Sequence, residues 1–328
     1  MHRSGPPADD GPGAWLPLPL TGAGRREFPG ASAAALDPAL RGYLADMVRP
    51  YGLTLRHELF ERASGHSYGE MAGALLTETL PAGRQLDLLV LGFSMHDVIP
   101  GRSTAAYLSG LCPGNPLAFA ICDAGAAAPF TALRVIADYA RTGSCRRAAL
   151  VVVEQATMHY EPAAPAAAPA ANAAVALLFG ESGSVRIGAV RQHADVARAD
   201  ALPLLVGQLA ALAGRREDIT VITGNGLASL AGWAAWPARL AGLAGDWRLR
   251  AAPPGQPCTG VCWELAGYLP QCAADGRLIL LADYEPVLKY LCLTAIDVQR
   301  LAVTAPGGRT AAPTRHWPEP SSRPRSPG

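Results

Sequence analysis

Apolar runs with no polar interruption, each set beside a segment of helical periodicity, constrain the fold of this chain more than any other feature. Residues 87–92, Asp-Leu-Leu-Val-Leu-Gly, follow a stretch over 66–80 in which Tyr68, Met71, Ala72, Leu75, Leu76 and Leu80 recur at helical spacing. The same order returns where a helical pattern over 131–141, with Leu133, Ile136, Ala137 and Ala140 on one side, runs through Thr142 and Gly143 into the apolar run 148–153. Gly143 stands where a helix C-cap glycine belongs. A strand that is apolar at every position must be covered on both faces, whereas a half-exposed strand alternates. The second half repeats the order, with a helix over 202–213, a strand at 219–222, a helix over 227–236 and closing strands at 277–282 and 288–296, separated by Asp-Tyr-Glu-Pro at 283–286. The pattern predicts an α/β protein with largely parallel, covered sheets, one set in each half of the chain.

At 328 residues and half apolar, the chain has enough core for one large or two fused domains. Its net charge of +1 lacks the clustered basic excess of an electrostatic nucleic-acid binder. No run approaches the roughly 18 apolar residues of a membrane span, and no basic-then-apolar leader opens the chain, so a cytoplasmic protein is expected. Seven cysteines, odd in number and scattered among apolar residues, suit reduced thiols. Cys258 and Cys262 form the one close pair; with no matching His or Cys pair nearby they read as two half-buried thiols, and neither metal nor cofactor is expected. Residues 1–13 and 304–328, rich in Pro, Gly, Ser and Arg, are expected to be disordered, leaving halves at 14–188 and 189–303. The Ala/Pro tract 162–170 is expected to form an exposed loop.

Three blocks carry a family resemblance. The first is Leu-Leu-Val-Leu-Gly-Phe-Ser at 88–94, followed by Pro100 and Ser-Thr-Ala-Ala at 103–106. The second is Phe-Ala-Ile-Cys-Asp-Ala-Gly-Ala-Ala-Ala-Pro-Phe at 119–130, continuing through Asp138 and 141–143 to the strand end at Glu154. The third is Ala-Ala-Val-Ala-Leu-Leu-Phe-Gly-Glu-Ser-Gly-Ser at 173–184, whose Gly180 and Gly183 fit a tight strand-end turn better than a phosphate loop. In series these blocks resemble the thiolase-like superfamily, and most closely its ketosynthase III (3-oxoacyl-ACP synthase III) branch. The resemblance implies a thiolase-like fold of duplicated α/β halves with central parallel or mixed sheets in an α-β-α-β-α layering. It also implies acyl-CoA or acyl-carrier-protein thioesters as partners, and a homodimer or a heterodimer with an intact ketosynthase.

Condensing chemistry needs a thiolate poised on a helix N-terminus, and His and Asn donors for the enolate and oxyanion. The resemblance puts the nucleophile at Ala126 when counted back from Gly143, or at Gly125 when counted forward from Phe119; no Cys, Ser or Thr lies between 124 and 129. The histidine position corresponds to Thr223 and the asparagine position to Cys258, so the whole triad is expected to be missing. Cys122 is read as a small buried hydrophobe on the strand leading into the elbow, or else as a displaced nucleophile. Asp123 reads as a helix N-cap or as a base. His96 with Asp97 reads as a surface pair or as a shared acid–base element, Asn225 as a turn residue or ligand contact, and Trp263 as core or pocket wall. Three functions follow: a degenerate accessory subunit, an acyltransferase or decarboxylase acting without an acyl-enzyme through Asp123, His96 or Asn225, or an acyl-thioester binding protein.

Overall fold

The computed structural model describes residues 15–30, 32, 38–62, 65–99, 101–161, 169–272 and 276–299. The expectations for 1–13, for 304–328 and for most of the Ala/Pro tract lie outside them. Strand β1 (Leu20–Glu27) is followed by the short helices α1 (Pro38–Val48) and α2 (His57–Glu61) and by α3 (Tyr68–Thr79). Helix α3 begins on a complete capping box: Ser67 accepts the Glu70 N–H while the Glu70 carboxylate accepts the Ser67 N–H. Then come β2 (Leu88–Gly92), α4 (Thr104–Leu111), β3 (Leu117–Ile121), α5 (Ala128–Arg141), β4 (Ala148–Glu154) and β5 (Ala173–Phe179). Gly143, at φ +74, closes α5 as the left-handed residue past its end. The remainder is β6 (Val185–Ile187), β7 (Arg191–His193), α6 (Arg198–Ala213), β8 (Asp218–Thr223), α7 (Asn225–Ala228), α8 (Trp236–Ala241), β9 (Asp246–Ala251), α9 (Gly260–Cys272), β10 (Leu278–Glu285) and β11 (Tyr290–Val298).

The strands run β3-β2-β4-β5-β1-β6-β11-β10-β8-β9, with β7 also on β11. In the first half β2 is parallel to β3 and β4, and β5 is antiparallel to β4. In the second half β8 is parallel to β9 and β10, and β11 is antiparallel to β10. The two halves therefore repeat one topology, in which β3, α5 and β4 correspond to β9, α9 and β10. The β1–β6 pairing joins the strands of the two halves into one 11-stranded sheet, a first and a second sheet meeting at that seam, and both faces of each are covered. Helices α5 and α9 share a core with Val90, Leu150, Val152, Leu177, Ile222, Ile279 and Leu281, so they form the middle layer between the sheets. Helices α3 and α4 pack on the other face of the first sheet through Met71, Leu75 and Leu108, and α6 and α8 on that of the second through Leu205, Leu209 and Leu240. The result is the expected α-β-α-β-α layering.

Three local expectations differ. The sheets are mixed rather than largely parallel, because β5 and β11 return alongside their neighbours. The continuous helix expected over 227–236 is instead a single turn, α7, and the separate helix α8, divided at Gly232 with φ +86. The expected turn at 283–286 is strand as far as Glu285, and the reversal falls at 286–289. Acidic residues broke the apolar pattern there without breaking the strand. Replacing Ser67 by Ala removes one arm of the capping box, and equilibrium denaturation is expected to show a loss of about 1 kcal/mol with an unchanged denaturant slope.

Candidate functional site

Strand β3 ends in a turn that holds Asp123 at φ +58 and Gly125 at φ +51, and a single 3-10 turn over Gly125–Ala127 leads into α5. Ala126 is buried in this turn. Its N–H does not face an open pocket: it donates to Glu285 Oε2 at 2.8 Å, while Glu285 Oε1 accepts from the Val287 N–H at 3.0 Å. Glu285 is the last residue of β10, in the opposite half of the chain. A Cβ on Gly125 would stand 1.9 Å from Glu285 Oε2, so both the close approach and the left-handed backbone require glycine.

The corresponding helix in the second half is served in the same way. Glu154, the last residue of β4, accepts through Oε2 from the N–H groups of Cys258 (2.9 Å) and Thr259 (3.3 Å) just ahead of α9, and through Oε1 from the Thr259 hydroxyl. Asp283 Oδ1 accepts from Gly226 (3.1 Å) and Leu227 (3.3 Å) in α7 and from Tyr284 (2.8 Å). Gly224 abuts this carboxyl so closely that a Cβ would lie 1.8 Å from Oδ2. Unpaired N–H groups and the aligned peptide dipoles make helix N-termini seats for anions, and here the chain fills three such seats with its own carboxyl groups.

Burial dominates the electrostatics of this seam. It pushes the Glu154 carboxyl up to about 7, against the lowering effect of the Thr259 hydroxyl and the two N–H groups. Asp283 is likewise raised to about 7 by burial, with a smaller contribution from neighbouring Glu285 and opposition from its three backbone donors. The Cys258 thiol lies well above its ordinary range, first through burial and then through the charges of Glu154, Cys262, Asp283 and Glu285. A thiol so placed stays protonated and unreactive.

Each of the three positions matched to the condensing triad thus lies beside one of these acids. Ala126 meets Glu285, Thr223 precedes the Gly224 that abuts Asp283, and Cys258 meets Glu154. Thr223 itself is buried, its hydroxyl 3.5 Å from the Arg250 carbonyl. Asn225 is committed to the turn at 253–256: its Nδ2 donates to the carbonyls of Pro253 (2.9 Å) and Gln256 (3.4 Å), and its Oδ1 accepts from Gly255 (2.9 Å). Trp263 is half-buried on α9 with the Arg25 guanidinium 5.0 Å over its ring.

The remaining candidates do not converge on the seam. Cys122 is exposed, which corrects the reading of it as a buried hydrophobe; β3 is an edge strand, and its end lacks cover. Its thiol is raised by partial desolvation and then by Asp123, opposite to what an activated nucleophile needs. Asp123 is also exposed, and the Ala126 N–H of the turn goes to Glu285 rather than to Asp123, so the capping role read for Asp123 is absent. His96 points to solvent, whereas Asp97 turns inward to accept from Tyr68 N–H (3.0 Å), Ile99 N–H (3.3 Å) and the Thr104 hydroxyl (2.8 Å). These neighbours do not act as a pair. The residues that sequence reasoning passed over are Glu154, Asp283 and Glu285. Their signal is an acid closing an otherwise apolar strand, with glycines at the turns facing it.

No family model and no curated protein matches the sequence. Among solved structures the chain is similar to 3-oxoacyl-[acyl-carrier-protein] synthase III from Aquifex aeolicus VF5, with a TM-score of 0.60 and 13% identity over 85% of this chain and 99% of that one. It is also similar to Xanthomonas campestris OleA (TM-score 0.59, 13% identity, 86% and 99% covered) and to the tetronic acid condensing enzyme AbyA1 (TM-score 0.58, 16% identity, 85% and 99% covered). The fold is that of the thiolase-like ketosynthase III enzymes. No described helix is long and apolar enough to cross a membrane.

Changing Gly125 to Ala sets a methyl group against the Glu285 carboxylate and places a side chain at a left-handed backbone. Equilibrium denaturation is expected to show a loss of about 3 kcal/mol or more, with part of it recovered when Glu285→Ala is added.

Proposed function

We propose that this chain is an acyl-binding, non-condensing relative of the ketosynthase III enzymes, acting as an accessory subunit beside an intact ketosynthase in the cytoplasmic biosynthesis of a fatty-acyl or polyketide-type product. One observation carries the reading: the Glu285 carboxylate sits on the Ala126 N–H at the head of the elbow helix. A thiolate or an oxyanion at that place needs the field and the N–H of the helix terminus, and both already serve a negative group. Ala126 offers no nucleophile, and Cys258 lacks the amide donor that the asparagine position supplies in the family it resembles. Acyl thioesters of CoA or of a carrier protein are the ligands in this reading, held without covalent attachment.

Pairing is supported by the contrast between the two ends of the sheet. Edge strand β9 carries Asp246, Arg248 and Arg250, charges that discourage strand addition. Edge strand β3, Leu-Ala-Phe-Ala-Ile, carries none and leaves Leu117 exposed, with Tyr107 and Leu111 exposed on α4, which packs on it. An uncharged edge beside apolar side chains suits a second subunit, either another copy or the intact ketosynthase.

A direct-transfer enzyme is the second reading, favoured by the exposure of Asp123 at the elbow with no capping duty. Intact-protein mass spectrometry after incubation with acyl-CoA separates the possibilities. No stable adduct and no turnover is the expected result, a lasting adduct on Cys122 overturns the reading, and turnover without an adduct establishes direct transfer. Ala126→Cys is expected to remain unacylated while Glu285 is present, and to gain measurable acylation, by about tenfold or more, when Glu285→Gly is added. Light scattering is expected to show a dimer with the chain itself or with a co-expressed ketosynthase; a monomer under both conditions removes the pairing role.

A further inference from the structure

We propose that the groove beside strand β1 is a docking site for the chain's own residues 300–305, which enter it as an added strand continuing from the end of β11. This goes beyond the acyl-binding reading and does not depend on it.

Strand β1 has one edge that is only partly used. It pairs with β5 from Leu20 to Glu27, but on its other side the pairing with β6 is confined to Leu20 and Val185. Beyond Leu20 no described strand takes up that edge, so alternate N–H and C=O groups from Gly22 onward face away from β5 with no strand to meet. The edge changes character along its length. Gly22, Ala23 and Gly24 carry no charge, whereas Arg25, Arg26 and Glu27 are exposed and guard the remainder against an added strand. The unguarded stretch opens on a groove of about 280 Å³, lined by β1 from Leu20 to Ala23, by the turn at 182–185 and by Ala266, Leu269 and Pro270 of α9. Ala23, Val185 and Leu269 are only half-buried there, which leaves apolar surface to cover.

The end of β11 supplies the occupant. Val298 pairs with Val185, and the Gln299 N–H donates to the Ser184 carbonyl at 2.8 Å, on the rim of the groove. Strand β11 is antiparallel to β6, and β6 to β1, so β11 and β1 run the same way and the chain leaves Gln299 heading along the open edge. To lie against β1 it must move sideways by one strand spacing, about 4.8 Å, a distance that two residues at about 3.3 Å each span. Leu301 and the residues after it then stand beside Gly22, Ala23 and Gly24.

The sequence of this segment suits the place. Residues 300–305 are Arg-Leu-Ala-Val-Thr-Ala, in which Leu301 and Val303 alternate with smaller or polar neighbours, and Pro306 ends the run. Two apolar side chains on one face of an extended segment match the half-buried lining, while its backbone meets the open N–H and C=O groups of β1. The added strand is parallel to β1 and ties the end of the second half to the first.

Amide hydrogen exchange on the full chain tests this. The amides of 22–25 that point away from β5, and amides within 301–304, are expected to be protected; the Leu301→Asp and Val303→Asp double variant is expected to lose about tenfold or more of that protection while β2 and β4 keep theirs. Exchange at intrinsic rates throughout 301–304 in the wild type, or an edge of β1 equally protected in the double variant, overturns the docking. Protection that falls on about hundredfold dilution identifies a second copy as the occupant and overturns it as well. Should the double variant fail to fold, amide-to-amide nuclear Overhauser contacts in the wild-type chain decide: contacts between 301–303 and 22–24 sustain the proposal, and their absence overturns it.

Discussion

The structure depends on how it satisfies helix heads that have been brought to the centre of the protein. A duplicated layered fold places the N-termini of α5 and α9 at the junction of its halves, where water is excluded and unpaired N–H groups are costly. In a catalyst of this architecture such termini are useful because they are left free for a reacting anion. Here they are filled by Glu285 and Glu154, and the neighbouring α7 by Asp283. Once these acids are in place, the glycines at 125 and 224, the unreactive Cys258 thiol and the upward shift of the Glu154 and Asp283 carboxyls all follow from close packing around buried carboxyl groups.

Much of the architecture was legible because its strands are apolar throughout and its helices keep strict spacing. Leu88–Gly92 and Ala148–Glu154 were read within a residue of their ends, since a doubly covered strand has no other way to look. Helix α3 was found with two extra residues at its start, where Ser67 and Glu70 form the capping box. Strand β9 escaped notice because an edge strand bearing Asp246, Arg248 and Arg250 resembles a loop. Helix α9 was missed because Gly260 and Pro270 at its two ends obscure an apolar face formed by Val261, Cys262 and Leu265.

The site was legible in outline but not in content. Counting residues points to Ala126, Thr223 and Cys258 as the positions the resemblance would assign to the triad, and each of these stretches lies beside a buried acid. No periodicity links Glu154 to Cys258 or Glu285 to Ala126, for these contacts join residues more than a hundred positions apart. Read from sequence, Asp283 and Glu285 suggest a turn because acids within a strand are rare unless they have buried donors to meet. Exposed Cys122 was misjudged for a related reason: whether an apolar strand is covered at its end depends on whether it lies at a sheet edge, and strand order is a property of the whole fold.

The exchange of glutamates also bears on how such a protein can be divided. Each half resembles a self-sufficient unit, with its own set of strands and its own outer helices. Yet each lends an acid to the other and borrows one in return. Cutting the chain between β5 and β6 would leave both halves with an unserved helix head and a buried carboxyl group facing nothing. The repeat is therefore a single folding unit in energetic terms, its halves tied by reciprocal hydrogen bonds from Glu154 to the head of α9 and from Glu285 to the elbow.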